Sequence, residues 1–290
     1  MSRLFEALKL AEIVRREEEP SSSEALLESV GRANDLLSDV RHETANVTLE
    51  SRLVVWSSPQ SLAADRFRLL RIQLQKLQAA GRTKILLVTS PTAEDGKSTV
   101  VLNLATALAR RGMQRVLVLE ADLRCPRLPE RLGLKPWSGL TDCLKDGTNP
   151  VSSLRRIDPL AFYLMPAGEP AQSPTELLQS AHFAGLLKTL GASFDWILVD
   201  SPPTGPIADV IVLRQHADAG LLVVRSGATP REAVSESMDQ LGAGFVQAIV
   251  LNALEGMEAG YGGYYGKYYG YASRSAEVGA ITSPSDNGAE

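Results

Sequence analysis

The chain of 290 residues is 44% hydrophobic and 22% charged, carries a formal net charge of -4 and contains two cysteines. That length leaves room for one α/β domain of roughly 200 residues plus appendages rather than two full domains. No apolar run approaches the ~20 residues of a membrane span, no signal-peptide pattern opens the chain, and the negative charge argues against nucleic acid as the main partner.

Residues 2–18 carry Leu4, Leu8 and Ala11 at helical spacing and are closed by Pro20-Ser21-Ser22-Ser23. A second helical seam, Leu26, Val30, Ala33, Leu37 and Val40, has two heptads and suits either packing on its own domain or docking to a partner helix. His42 to Ser51 reads as a polar linker, so residues 1–51 form an N-terminal extension. From Ser61 to Ala80, the residues Ala63, Phe67, Leu70, Leu74 and Leu77 build a continuous apolar stripe. Asp65, Arg68 and Arg71 run beside it, on what reads first as a solvated face.

The short apolar run Lys84-Ile85-Leu86-Leu87-Val88 predicts a strand, and Val101, Leu104, Ala105 and Leu108 predict a helix. Between them stands Thr89-Ser90-Pro91-Thr92-Ala93-Glu94-Asp95-Gly96-Lys97-Ser98-Thr99, which reads as a phosphate-binding loop with Pro91 in place of the usual first glycine. Backbone N–H groups of such a loop and of the first helical turn converge on one point, where the helix dipole also favours anions. Lys97 adds a full charge there, and Ser98 is a ligand for Mg²⁺.

Further strands are predicted at Val116–Leu119, Phe162–Leu164, Trp196–Val199, Gly220–Val224 and Ala248–Leu251, with helices near 101–111, 174–190, 206–215 and 230–241. The alternation predicts an α/β, P-loop NTPase-like domain over 52–256, a mainly parallel sheet with helices on both faces. Its ligands belong at the carboxyl ends of the strands. Two strands end in acids there. Asp200 closes Trp196-Ile197-Leu198-Val199 and reads as a Walker B residue, while Glu120 and Asp122 close Val116-Leu117-Val118-Leu119 on one side of an extended chain. The two cysteines, Cys125 and Cys143, lack metal-ligand spacing and read as reduced structural thiols of a cytoplasmic protein.

The remaining segment, 257–290, predicts a flexible tail. Of seven tyrosines in the chain, six (Tyr261, Tyr264, Tyr265, Tyr268, Tyr269 and Tyr271) fall here among glycines that deny the segment a stable helix or strand. Taken alone it is a sticky low-complexity tail; beside a nucleotide site, a rack of phenols reads as a set of phosphoryl acceptors.

Together these features resemble the bacterial tyrosine kinase family, the P-loop autokinases of capsule and exopolysaccharide systems, over roughly residues 55–272. The resemblance rests on the Ser90–Thr99 loop, on Glu120-Ala121-Asp122-Leu123-Arg124 as a Walker A′ segment, on Asp200-Ser201-Pro202-Pro203, on Val224-Arg225 and Leu251-Asn252, and on the tyrosine tail. It implies an ATP- and Mg²⁺-dependent autokinase. The loop residues Asp95, Gly96, Lys97, Ser98 and Thr99 hold the phosphates, Ser98, Asp122 and Asp200 hold the metal, Glu120 accepts the tyrosine proton, and Asn252 lies near adenine. It reassigns the Asp65, Arg68, Arg71 row to the assembly of a homo-oligomeric ring. A separate membrane-bound polysaccharide co-polymerase is implied as activator and a tyrosine phosphatase as a further partner, with the kinase cytoplasmic and peripheral to the membrane. Glu120, Asp65 and Asp95 each differ by one methylene from the residue usual in the family. A partitioning-type ATPase would use the same sheet but has a signature lysine where Thr92 stands; a weakly catalytic nucleotide-binding scaffold stays open because of Glu120.

Overall fold

The structure is a computed structural model and describes residues 37–254 apart from 82, 111, 113, 206, 207 and 243. The chain divides into two units after Asn252. The second contributes only Ala253 and Leu254 to the described residues, and every described helix and strand belongs to the first. The expected helices of the N-terminal extension before Leu37 and the tyrosine rack lie outside the described residues.

Eight strands form one sheet: β1 (Arg41–Thr44), β2 (Ile85–Thr89), β3 (Val116–Glu120), β4 (Arg155–Asp158), β5 (Phe162–Met165), β6 (Trp196–Asp200), β7 (Ala219–Arg225) and β8 (Val246–Asn252). Their order across the sheet is β1-β4-β5-β3-β6-β2-β7-β8. Every pairing is parallel except β4 with β5. The central strands read as unbroken Val, Ile and Leu because both of their faces are buried. Successive side chains alternate between two cores. Leu87, Leu117, Leu119, Ile197, Val199 and Leu222 enter one, and Leu86, Val88, Val118, Leu198, Leu221 and Val223 enter the other.

The second core is roofed by two stacked helices, α1 (Leu62–Ala79) and α2 (Lys97–Ala109). Each residue of α2 from Val100 to Ala109 is buried, because the sheet takes one side and α1 the other. The first core is closed by α3 (Ala181–Ser193), α4 (Asp209–Arg214) and α5 (Arg231–Leu241). The helix expected over 174–190 is two helices. Ser180 adopts an extended ψ of 150° and its hydroxyl accepts from Phe183 N at 3.2 Å, so it caps α3 and separates it from the short helix Pro174–Gln179. His42 to Ser51, expected as a linker, instead holds most of β1 and a single helical turn, Leu49–Ser51. None of the described helices is long and apolar enough to cross a membrane.

Because β2, β3, β6, β7 and β8 run the same way, their carboxyl ends share one edge. β2 lies between β6 and β7, so the loop it feeds emerges with the strand-end acids on one side and the β7 and β8 ends on the other.

Candidate active site

The phosphate loop leaves β2 at Thr89 and enters α2 at Lys97. Gly96 has φ +95°, and a Cβ on it would overlap the amide nitrogen of Asn252, so glycine is required twice over at this position. Asp95 is 2% exposed and organises the loop from within. Its carboxylate accepts from Thr92 N at 2.9 Å, Thr92 Oγ1 at 2.9 Å and Thr229 Oγ1 at 2.7 Å. Asn252 Nδ2 donates to the Asp95 carbonyl at 2.9 Å, and Arg225 Nη1 to the Glu94 carbonyl at 3.4 Å. From the other side, Thr204 N donates to the Ser90 carbonyl at 2.8 Å.

Lys97 opens α2 and places Nζ 3.9 Å from Asp122 Oδ2, with both side chains nearly enclosed. Asp200 is paired in register with Val88 of β2 and Glu120 of β3, which sets it beside the loop. Its Oδ1 is buried without a hydrogen-bond partner. Burial pushes this carboxyl up to about 7, against the pull of Lys97, with Glu120 adding to the rise and a hydrogen bond from Ser98 opposing it. Lys97, Ser98, Asp122 and Asp200, separated by as much as 103 positions in the chain, are thus brought to one place.

Glu120 differs from the free carboxylate expected of a proton acceptor. Oε1 accepts from Arg127 N at 2.6 Å and Leu128 N at 2.7 Å, and Oε2 from Ala167 N at 3.0 Å. Burial nevertheless raises its pKa, the three amides lowering it and Asp122 raising it further. Both oxygens are committed to fixing the segments that follow β3 and β5. Asp122 Oδ1 accepts from Cys125 N at 3.1 Å, leaving Oδ2 facing Lys97. Thr99 turns outward, its hydroxyl 3.4 Å from Arg131 Nη1.

Two groups escaped the sequence reading. Asp209, 1% exposed at the start of α4, accepts from Arg124 Nε at 2.8 Å, Arg124 Nη2 at 3.2 Å and Thr175 Oγ1 at 2.5 Å, tying the segment after β3 to the one after β6. That bond holds the Arg124 guanidinium above its ordinary pKa. Thr229 is the other; neither its composition nor its spacing marks it. The Asp65, Arg68, Arg71 row lies on α1, apart from these groups. Arg68 bonds Asp65 and the Pro59 carbonyl, and Arg71 Nη1 donates to the Ala107 carbonyl at 3.2 Å. Leu69 and Ile72 of the same helix are exposed.

The family model described as ParA: NUBPL iron-transfer P-loop NTPase matches residues 81–249. The tyrosine-protein kinase CpsD of Streptococcus agalactiae is 31% identical over 198 residues, 66% of this chain and 86% of that protein. The chain belongs to the bacterial tyrosine-kinase family. Among other members of this family, the kinase domain of Escherichia coli tyrosine kinase ETK superposes with a TM-score of 0.67 at 26% identity, covering 74% of this chain and 84% of that one. The succinoglycan biosynthesis transport protein ExoP of Rhizobium meliloti is 28% identical over 234 residues, 76% of this chain. The chain spans under a third of the length of ExoP and of other long relatives, and most of the length of the compact tyrosine kinases.

Membership of a family of P-loop kinases implies a nucleotide together with a metal at this site. The residues present fit that pair. The orphaned Asp200 Oδ1 and its raised pKa mark a site short of positive charge, and Ser98, Asp122 and Asp200 supply oxygen donors. Among the described residues no group of three or more His, Cys, Asp or Glu side chains is arranged to enclose a metal unaided. Mg²⁺ in phosphate sites keeps several waters and uses one or two carboxylates, which this donor set offers.

Proposed function

We propose that the chain is an ATP- and Mg²⁺-dependent tyrosine autokinase whose acceptors are Tyr261, Tyr264, Tyr265, Tyr268, Tyr269 and Tyr271 of a neighbouring subunit's tail. The observation that carries this reading is the meeting of Lys97, Ser98, Asp122 and an incompletely bonded Asp200 at the phosphate loop. Phosphoryl transfer needs positioning and charge neutralisation more than covalent chemistry from the protein. Loop amides and Lys97 hold the β- and γ-phosphates. Ser98, Asp122 and Asp200 would hold Mg²⁺, which neutralises charge on the phosphates when bound. Glu120, whose two oxygens accept from the amides of Arg127, Leu128 and Ala167, shapes the segments around the acceptor side of the site. Asn252, seated on the loop by its bond to the Asp95 carbonyl, would border the adenine end.

ExoP's name, that of a succinoglycan biosynthesis transport protein, supports a role in exopolysaccharide or capsule synthesis or export. The same proposal includes a membrane-bound co-polymerase as activator, a tyrosine phosphatase as the opposing partner and the kinase held at the inner face of the membrane. Ring assembly through α1 is supported by the Asp65, Arg68, Arg71 row and by exposed Leu69 and Ile72 beside it. Each phosphotyrosine adds roughly -1.5 to -2 charges, so multiply phosphorylated tails repel within the ~8 Å screening length of physiological salt and dissolve the ring.

Purified protein with Mg-ATP, assayed for phosphotyrosine and released phosphate, tests the reading. Label in the tail of the wild type and none in Lys97→Met is the expected result. Phosphate release without label would make it an ATPase, and neither signal a scaffold. Sedimentation velocity of wild type before and after Mg-ATP, and of Arg68→Ala/Arg71→Ala, tests the assembly.

A further inference from the structure

We propose that Thr229 is a positioning residue for the phosphate loop, holding Asp95, and through it the backbone of Glu94, Asp95 and Gly96, in the shape that receives the nucleotide. The inference rests on the proposed nucleotide site and deepens it.

The chemistry of the hydroxyl fixes the direction of the interaction. Thr229 Oγ1 accepts from Arg225 N at 2.8 Å, and an amide can only donate, so the single hydroxyl proton is left for Asp95 Oδ1 at 2.7 Å. Asp95 has no ion-pair partner among the described salt bridges and is 2% exposed, so its charge is carried by three donors. Two of these belong to Thr92, inside the loop itself. Thr229 is the donor from outside, 134 positions along the chain.

The loop also needs an external hold. Glu94 is not glycine yet sits at φ +66°, a conformation that persists only where the surroundings over-determine it. Three contacts from the β7 and β8 ends do so on consecutive residues: Arg225 on the Glu94 carbonyl, Thr229 on the Asp95 carboxylate and Asn252 on the Asp95 carbonyl. Arg225 and Asn252 pair in register, so the grip is part of the sheet. Thr229 alone among the three acts on a buried charge, where a lost donor costs most.

Titration of a fluorescent ATP analogue with Mg²⁺ tests the proposal directly. Thr229→Val, which keeps the shape and removes the donor, is expected to weaken binding about tenfold, and Thr229→Ser to restore it to within about twofold. Steady-state tyrosine phosphorylation should show the Thr229→Val loss in KM for ATP while kcat at saturating ATP stays within about threefold, as for a lost ground-state contact. Asp95→Asn should weaken binding as well, and the double variant Asp95→Asn/Thr229→Val should lose no more than the worse single one. If Thr229→Val does not fold, Thr229→Ala against Thr229→Ser makes the same comparison. Binding by Thr229→Val within twofold of wild type, or Thr229→Ser as weak as Thr229→Val, overturns the positioning role while leaving the nucleotide site standing. A wild type that binds no nucleotide overturns both.

Discussion

Glu120 and Asp200 are opposite numbers: buried carboxylates at the ends of adjoining strands, paired in register, both with pKa values raised chiefly by burial. Their surroundings differ. Glu120 spends both oxygens on three backbone amides, while Asp200 keeps one buried oxygen with no partner. A carboxylate whose bonds are complete fixes the chain around it, and one left incomplete is waiting for something the folded chain does not supply. The same residue chemistry at the same sheet edge is therefore an anchor in one strand and an incompletely bonded acceptor in the next.

Substitutions that treat the two acids alike should separate them. The largest effect is expected for Asp200→Asn, which should lower tyrosine phosphorylation at least a hundredfold, the usual scale for removing a preorganised electrostatic group. Full activity of Asp200→Asn would erase the distinction. The same variant should be more stable than wild type at pH 8 by on the order of 2–4 kcal/mol, since a pKa moved from 3.8 to about 7 is a penalty for holding the charge; chemical denaturation without nucleotide measures it. At Glu120 the sign reverses. Glu120→Asp draws the carboxylate back by one methylene and strands at least one amide of Arg127, Leu128 or Ala167, at a cost of about 1–3 kcal/mol. An unchanged melting temperature would show that the anchor is not needed.

The pH dependence sharpens the comparison further. A carboxyl whose folded pKa is raised binds more protons folded than unfolded, so its stabilising contribution is present at low pH and lost as pH rises through the folded value. The nucleotide-free protein should therefore lose stability between pH 6 and 8, and Asp200→Asn should flatten that slope. A rise over this window would contradict the assignment. Smallest is the effect of Arg124→Met, which leaves buried Asp209 with Thr175 as its one side-chain partner among the described residues; because Arg124 is 42% exposed, about 1–2 kcal/mol is expected, read by denaturant titration.

The acids and the phosphate loop were legible because each is declared locally, a polar terminus on an apolar run. The central strands were legible for the same reason, being apolar on both faces. β1 and β4 were not: Arg41-His42-Glu43-Thr44 has no apolar residue, and Arg155-Arg156-Ile157-Asp158 has only Ile157. Both owe their extended form to pairing at the sheet margin, which no local pattern announces. Ser180 shows a subtler miss, since the apolar period runs on across it and only the cap stops the helix. Thr229 was invisible because its partner lies 134 positions away, and Glu120 was visible as an acid but not as an anchor, because its donors are main-chain amides whose positions depend on the finished fold.

The burial of α2 on all sides has a consequence for how the protein responds to its ligand. Amides of a helix enclosed by sheet and α1 exchange with solvent mainly when the whole unit opens, so Val100–Ala109 should report the global unfolding free energy in deuterium exchange. In the proposed function the nucleotide is received at the first turn of that same helix. Occupancy at a hundred times Kd would then deepen the protection of α2 by about 2.7 kcal/mol, spread along its length instead of confined to the loop, so that filling one end of the helix slows the opening of the entire sheet beneath it.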